Sequence, residues 1–262
     1  MNSPSANDEV TIAFTVAVSL PILSLSSSTV LKVFVRPRIV RSSRPGQPIT
    51  LLVNDSAFEA SEPGGWQKAV AFGSLGQGLE SKNDRNRVIS FGILRPHYPE
   101  PYYDLTSLHG RGRFLTLPGS GEDVVITHEI TMKRLFERSR LRPEDIQPGE
   151  EFQIQVSRGG REIGWWCWGD LDGDLKGKNL HPWVQGYEGP NTWYHRPSQE
   201  EIERENHVTG GDPENLLVED HTHWVDIKIV QGDPEKPRVE GETNAVDVKG
   251  VGGFQSPALH PR

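Results

Sequence analysis

Several features are scarce in this sequence, and each scarcity excludes a class of protein. A single cysteine, Cys167, stands among 262 residues, so a framework of intramolecular disulfides is excluded. Acidic residues outnumber basic ones and the formal net charge is −8, which argues against a general affinity for nucleic acid or acidic lipid. Apolar runs stay shorter than the roughly 18 residues of a membrane-spanning helix.

Motifs for nucleotide and acyl chemistry are also missing. The glycine-rich stretch at 73–78 lacks the Lys-Ser/Thr pair of a phosphate-binding loop, and Ser107 has no nucleophile elbow around it. Cys167 lies among large aromatic residues without a charged neighbour to activate it. We therefore expect an inert thiol that packs as a small hydrophobic side chain.

The apolar segment that begins at Val10 has the pattern of a strand rather than of a secretory signal. Asp8 and Glu9 precede it without any lysine or arginine, whereas a secretory signal begins with positive charge. From Ile12 to Leu20 large apolar residues alternate with small or polar ones, the period of a half-buried strand. We expect a soluble cytoplasmic protein.

The residues that are abundant predict the fold class. The 27 glycines and 20 prolines favour short strands and turns over long helices, and period-two patterning recurs at 124–132 and 152–156. One helix is predicted at 198–206, where Ser198 and Glu201 match a capping box. The predicted fold is all-β, an immunoglobulin-like antiparallel β-sandwich with long loops and one short helix.

The predicted organisation is one domain with polar appendages. A flexible N-terminus at 1–9 precedes a single β-sandwich domain at 10–230, which contains a polar excursion at 184–216, and a largely flexible C-terminal tail follows at 231–262. The strand at 30–35 is expected to stop at Pro37. The paired glycines at 158–161 predict a hairpin turn, because glycine tolerates positive φ.

Part of the chain resembles a known group of proteins. The segment Pro-Gly-Glu-Glu-Phe-Gln-Ile-Gln-Val at 148–156, with 163–168 and 174–180, is similar to uncharacterised immunoglobulin-like β-sandwich proteins of filamentous fungi. The resemblance covers residues 30–185. It implies a β-sandwich and transfers no activity to any residue of this chain.

The segment 163–183 contains four of the seven tryptophans and the only cysteine. Strand parity predicts that Ile163, Trp165 and Cys167 face the core and that Trp166 and Trp168 face outward. The excursion at 184–216 or a ligand would cover the outward pair. Tryptophan fills cores and also stacks on ligands or anchors partners, so both readings stay open. The predicted ligand-binding residues are Trp166, Trp168, Trp183, Trp193 and Tyr194.

Two further clusters are candidates for metal sites. On a strand, His221 and His223 project to one face, and with His128 from the apolar face of another strand they form a possible site for a divalent transition metal. Hydrogen-bonded histidines at the rim of the sandwich, or acid–base chemistry without metal, are the alternatives. The acidic segment 170–174 lacks the glutamate that completes a calcium loop, which favours a simple acidic turn.

The leading functional hypothesis is a non-catalytic module without a cofactor that binds a small molecule or a protein partner through a Trp-rich surface. The alternative is a small enzyme, either metal-dependent through the His-x-His strand or a cofactor-free cyclase or isomerase with an aromatic pocket. A purely structural unit is the third possibility.

Overall fold

A computed structural model describes residues 2–25, 30–60, 75–76, 78–91, 113–186 and 196–230, which form short strands and two short helices. The strands are β1 (Val10–Val18), β2 (Ile22–Ser24), β3 (Val30–Ser42), β4 (Ile49–Leu52), β5 (Gly78–Ser81), β6 (Val88–Ser90), β7 (Phe114–Leu117), β8 (Ile126–Thr131), β9 (Glu151–Ile154), β10 (Trp166–Trp168), β11 (Asn179–Val184), β12 (His207–Gly210), β13 (Leu216–Asp220) and β14 (Val225–Val230). The α-helices are α1 (Met132–Glu137) and α2 (Gln199–Arg204), and single 3-10 turns occur at Pro143–Asp145, Gly159–Arg161 and Pro213–Asn215. Neither α-helix in these ranges is long and apolar enough to cross a membrane.

The strands form four sheets within the described ranges. Their strand orders are β13-β1-β3-β8, β2-β14-β9-β5-β6, β10-β4-β7 and β11-β12. The predicted all-β class is confirmed. Two details of the prediction were wrong: β1–β13, β2–β14 and β11–β12 pair in parallel, and α1 adds a second helix, whose N-cap Thr131 accepts a hydrogen bond from the Arg134 N–H.

Strand β3 continues through Pro37 to Ser42, although a stop before this proline was predicted. The Pro37 carbonyl accepts a hydrogen bond from the Val124 N–H, so the backbone of Pro37 faces the β8 side of the strand. The last residue of β3 that pairs with β8 is Val35. The missing N–H therefore removes no ladder bond, and the strand tolerates the proline.

The main hydrophobic core lies where the three larger sheets meet. It contains Phe14 of β1, Leu51 of β4, Phe152 of β9 and Trp166 of β10, all with at most 1% of their surface exposed. Phe14 also packs edge-on against Phe58, with ring centroids 5.5 Å apart. Alternation along β1 and β9 thus directs their apolar residues to one shared interior.

The connection at 158–161 is not the predicted hairpin turn. Strand β9 pairs with β14 and β5, while β10 pairs with β4. Between them the 3-10 turn Gly159–Arg161 is held by a hydrogen bond from the Ala57 N–H to the Gly160 carbonyl. The glycines do make a turn, but the chain leaves the five-stranded sheet there and enters the three-stranded one.

The N-terminal segment, predicted to be flexible at 1–9, lies against the folded domain over the described residues 2–9. The Trp168 N–H donates to the Asn2 carbonyl at 2.9 Å, and the Thr209 N–H donates to Ser3 Oγ at 3.0 Å. Asn2 and Asp8 are buried. The segment is therefore bound to β10 and β12, while the predicted flexible tail at 231–262 lies outside the described residues.

Candidate functional site

Trp166 and Trp168 face the main core, opposite to the predicted orientation. Both indoles are completely buried and pack edge to face, with ring centroids 5.4 Å apart. The Trp166 ring N–H donates to the Asp212 carbonyl and the Trp168 ring N–H to Asp8 Oδ2. Neither indole offers an accessible surface to a ligand in this structure.

Trp165 and Cys167 lie on the other face of β10, in a small second cluster with Leu180 of β11 and Val208 of β12. The excursion at 184–216 thus supplies part of the cover, through β12. Counting parity from Ile163 failed because the backbone bends at Gly164 before β10 begins. Burial and the nearby Asp174 carboxylate raise the pKa of the Cys167 thiol, so the group is unreactive.

Trp183 is the predicted ligand contact that the structure places on a cleft. It follows Pro182 in β11, and neither residue has a partner on β12, because the register jumps from His181–Thr209 to Val184–Gly210. Proline cannot donate to the ladder, which explains an irregularity at this point. The Trp183 N–H donates instead to Nδ1 of His181 at 3.0 Å, and its indole is partly exposed.

The cleft beside Trp183 has a volume of about 680 Å³. The short β11–β12 sheet contributes Trp183 and Val208, helix α2 contributes Ile202, and the N-terminal segment contributes Asn2 and Ser3. The parallel strands and the helix between them form a β-α-β unit. The cleft thus lies where this unit meets the bound N-terminus.

Arg196 lies over the Trp183 ring, with the guanidinium carbon 5.2 Å from the ring centroid. The geometry is that of a cation–π contact. Its backbone position is constrained by the following residues: Pro197 is buried, and Ser198 is the N-cap of α2, with its hydroxyl accepting from the Glu201 N–H. The predicted capping box therefore forms, and it anchors the start of the cleft wall.

Charged groups of both signs line the cleft. Lys178 Nζ donates to Asn2 Oδ1 at 2.7 Å. On α2 the carboxylate of Glu201 accepts from the Ser198 N–H at 2.7 Å, and that of Glu203 accepts from the Gln199 amide at 2.8 Å. Both carboxylates are thus engaged within the helix that carries them.

His207 lines the cleft and packs against His181 behind it. The His207 side chain is 5% exposed, and its Nε2 lies 3.1 Å from Glu205 Oε2. Its ring centroid is 5.0 Å from that of His181. Within the described part of the chain, Nδ1 of His207 is buried without a hydrogen-bond partner, so this imidazole is held chiefly by packing and by the Glu205 contact.

The His-x-His pair lies in a turn, and its placement on a strand was wrong. Strand β13 ends at Asp220 and β14 starts at Val225. Asp220 Oδ1 accepts from the N–H groups of residues 222 and 223, and His223 has a φ of 61°. His221 is exposed, with Nε2 3.3 Å from Glu219 Oε2. The two imidazoles are therefore not arranged by a pleated strand.

His128 lies on the apolar face of β8, as predicted, and is completely buried. Its Nε2 is 2.9 Å from the Ala57 carbonyl oxygen. Burial lowers the pKa of His128, although the hydrogen bond to Ala57 acts in the opposite direction. The neutral imidazole serves as a core group that ties β8 to the 55–59 segment.

The acidic segment 170–174 folds as a turn that satisfies its own oxygens. Asp174 Oδ1 accepts from the Asp170 N–H at 2.8 Å, and Asp170 Oδ1 accepts from the Asp172 N–H at 2.9 Å. Burial raises the pKa of Asp174, but hydrogen bonds from the Asp170 N–H and the Asn2 amide are the main interactions that outweigh it and lower the pKa. Across the described ranges, no three His, Cys, Asp or Glu side chains are grouped as a metal site.

Of the cleft residues described above, Trp183 was a candidate from the sequence, and Arg196, Asn2 and Lys178 were not. Trp193 and Tyr194 lie outside the described residues. Arg196 had no distinguishing pattern beyond its place before a proline and a capping box, and Asn2 lay in a segment read as flexible. A tertiary contact was needed to assign any of these residues to the cleft.

Comparison with known proteins adds no functional assignment. No protein-family model matches the chain, and no curated protein is significantly similar to it.

Proposed function

We propose that this protein is a non-catalytic binding module whose ligand site is the cleft beside Trp183. The observation that carries the proposal is the placement of a partly exposed tryptophan, covered on its ring by Arg196, in a cleft of about 680 Å³. This volume lies within the range of small-molecule sites, roughly 300–1,000 Å³. An indole with one polar edge is well suited to stacking on a flat organic ligand.

The lining of the cleft supports binding rather than covalent chemistry. Apolar contact is offered by Trp183, Ile202 and Val208, and polar contact by the amide and charged groups around them. The hydroxyls of Ser3 and Ser198 accept hydrogen bonds from backbone N–H groups, and neither is bonded to a histidine within the described ranges. A nucleophile paired with a base, as nucleophilic catalysis requires, is not assembled by these residues.

For the fold, we propose an immunoglobulin-like β-sandwich. In support, the four-stranded and five-stranded sheets share one apolar interior, to which β1, β3, β9 and β14 contribute alternating side chains. Facing sheets that share a core through alternating residues are the hallmark of a sandwich. On this reading the three-stranded sheet closes one side of the core, and the β11–β12 unit is an appendage that carries the cleft.

The test uses the full chain labelled with ¹⁵N and neutral benzamide as the probe. The seven tryptophans give separate indole N–H resonances in a heteronuclear spectrum, and Trp183→Phe assigns the one that matters. We expect millimolar benzamide to shift the Trp183 resonance. Trp224, which is 37% exposed, serves as the matched control and is expected to remain unchanged.

A variant that fills the cleft completes the design. Ile202→Trp places a large side chain in the cleft and is expected to abolish the benzamide-induced shifts, whereas Trp224→Leu is expected to leave them intact. Equal shifts at Trp183 and Trp224, or binding that survives the filled cleft, would show that the probe binds elsewhere and would refute the proposal.

A further inference from the structure

We infer that the ligand of this cleft is a flat organic anion, with its carboxylate or phosphate bound by Arg196 and its apolar part lying beside Trp183. The inference rests on the proposed function and specifies the chemical class of the ligand. It follows from the hydrogen-bond and ion-pair partners of the charged side chains that line the cleft.

The negative charges of the cleft have local partners. Glu201 accepts from the Ser198 N–H, and Glu203 accepts from the Gln199 side chain. These bonds orient both carboxylates along α2.

The positive charge of Arg196 is differently placed. Its side chain is exposed and lies over the Trp183 ring, and in the described part of the chain no carboxylate pairs with it. The guanidinium group carries its N–H donors in a planar fork. Those donors match the two oxygens of a carboxylate or phosphate, the pairing that arginine forms best.

Lys178 adds a second cation to the same cleft. Its ammonium group donates to the neutral amide oxygen of Asn2 at 2.7 Å and is only partly buried. Asn2 is in turn fixed by the Trp168 backbone, to which it both donates and accepts hydrogen bonds. The lysine is thus held at the cleft wall, as a second cation beside Arg196.

The apolar part of the ligand has a defined surface to contact. Trp183, Ile202 and Val208 lie along the cleft, and the indole is in contact with Arg196. A ring that carries a carboxylate satisfies both requirements at once. Benzoate is therefore the simplest probe, and benzamide is its neutral isostere.

The experiment compares the affinities of benzoate and benzamide for the full chain by titration monitored at the Trp183 indole resonance. We expect benzoate to bind about tenfold more tightly than benzamide, since a charge-assisted bidentate pair replaces neutral hydrogen bonds. Arg196→Gln is expected to remove this preference. Arg204→Gln changes an exposed arginine of α2 that pairs with Glu205, and it is expected to keep the preference.

A second measurement tests the anion preference on the unmodified chain, where misfolding of Arg196→Gln cannot affect the result. Added salt is expected to weaken benzoate binding to the unmodified chain and to leave benzamide binding unchanged. If benzamide binds at the Trp183 resonance as tightly as benzoate, the anion inference is overturned and the binding function stands. If neither probe moves that resonance, the proposed function fails with it.

Discussion

The contact between Asp8 and Arg44 offers a quantitative test of what binds the N-terminal segment to the domain. The Asp8 side chain is 9% exposed and its Oδ2 receives the Arg44 guanidinium at 2.6 Å, the Trp168 ring N–H at 3.1 Å and the Ser5 N–H at 2.7 Å. Burial alone raises the pKa of this carboxyl. The three donors outweigh burial and lower the pKa from its ordinary 3.8 to about 2.

The shift converts directly into folding free energy. A decrease of the pKa from 3.8 to about 2 corresponds to about 2 kcal/mol of stability at neutral pH. Because the folded pKa is the lower one, this contribution is fully present above the unfolded pKa. It is lost as the pH falls from about 4 through about 2, where the folded protein also binds the proton.

The perturbation is Asp8→Asn, which keeps the shape of the side chain and removes its charge. We expect the free energy of unfolding to fall by about 2 kcal/mol at neutral pH. Near pH 2 the variant and the unmodified chain are expected to differ by less than about 1 kcal/mol. Urea unfolding followed by tryptophan fluorescence at several pH values measures both quantities.

The matched control is Glu9→Gln, which removes an exposed carboxylate next in the chain. In the described ranges the Glu9 side chain has no ion pair, so this variant is expected to unfold like the unmodified protein at every pH. A stability difference for Asp8→Asn that is unchanged between neutral and acidic pH would refute the linkage between this carboxyl and folding.

Two other substitutions test the packing and the buried charges. Gly210→Ala is expected to cost about 1–3 kcal/mol by overpacking, because a Cβ there would lie 2.3 Å from Cδ1 of the buried Trp165 ring. Gly159→Ala, with no atom within 4 Å of the added Cβ, is the control, and equal unfolding midpoints for the two variants would contradict the packing geometry. Arg87→Met is expected to cost about 2–4 kcal/mol, because it removes both hydrogen bonds to the Glu150 carboxylate, a side chain that is 7% exposed. Adding Glu150→Met is expected to restore part of that loss in thermal unfolding, and a further loss of similar size would show that the two groups are not coupled.

Local patterns were sufficient for the strands whose residues alternate and for the capped helix. The alternation around Phe14 predicted β1, and Ser198 with Glu201 predicted the start of α2. Four strands lay in segments with no such signal. Strands β2, β5, β11 and β12 are short, and a run of a few residues does not distinguish a strand from a loop.

The misread tryptophans show why a local pattern is insufficient for a site. Parity is a property of extended backbone, and it was carried across Gly164, where the chain bends. Trp166 and Trp168 therefore face the main core, and Trp165 and Cys167 face the second cluster, the reverse of the predicted assignment. Trp183 was named as a candidate from the sequence, but the irregularity that leaves it without a partner on β12 arises only when β11 pairs with β12.

By itself, the sequence determined the all-β class, the alternation of the long strands, the helix start at Ser198 and an inert Cys167, because each depends on neighbours along the chain. Tertiary structure alone decided which strands pair, which face of β10 meets the core, and that Asn2 and Arg196 border the same cleft as Trp183. Strand pairing and burial depend on contacts between residues far apart in the chain. The periodicity of one strand carries no information about which distant strand it pairs with.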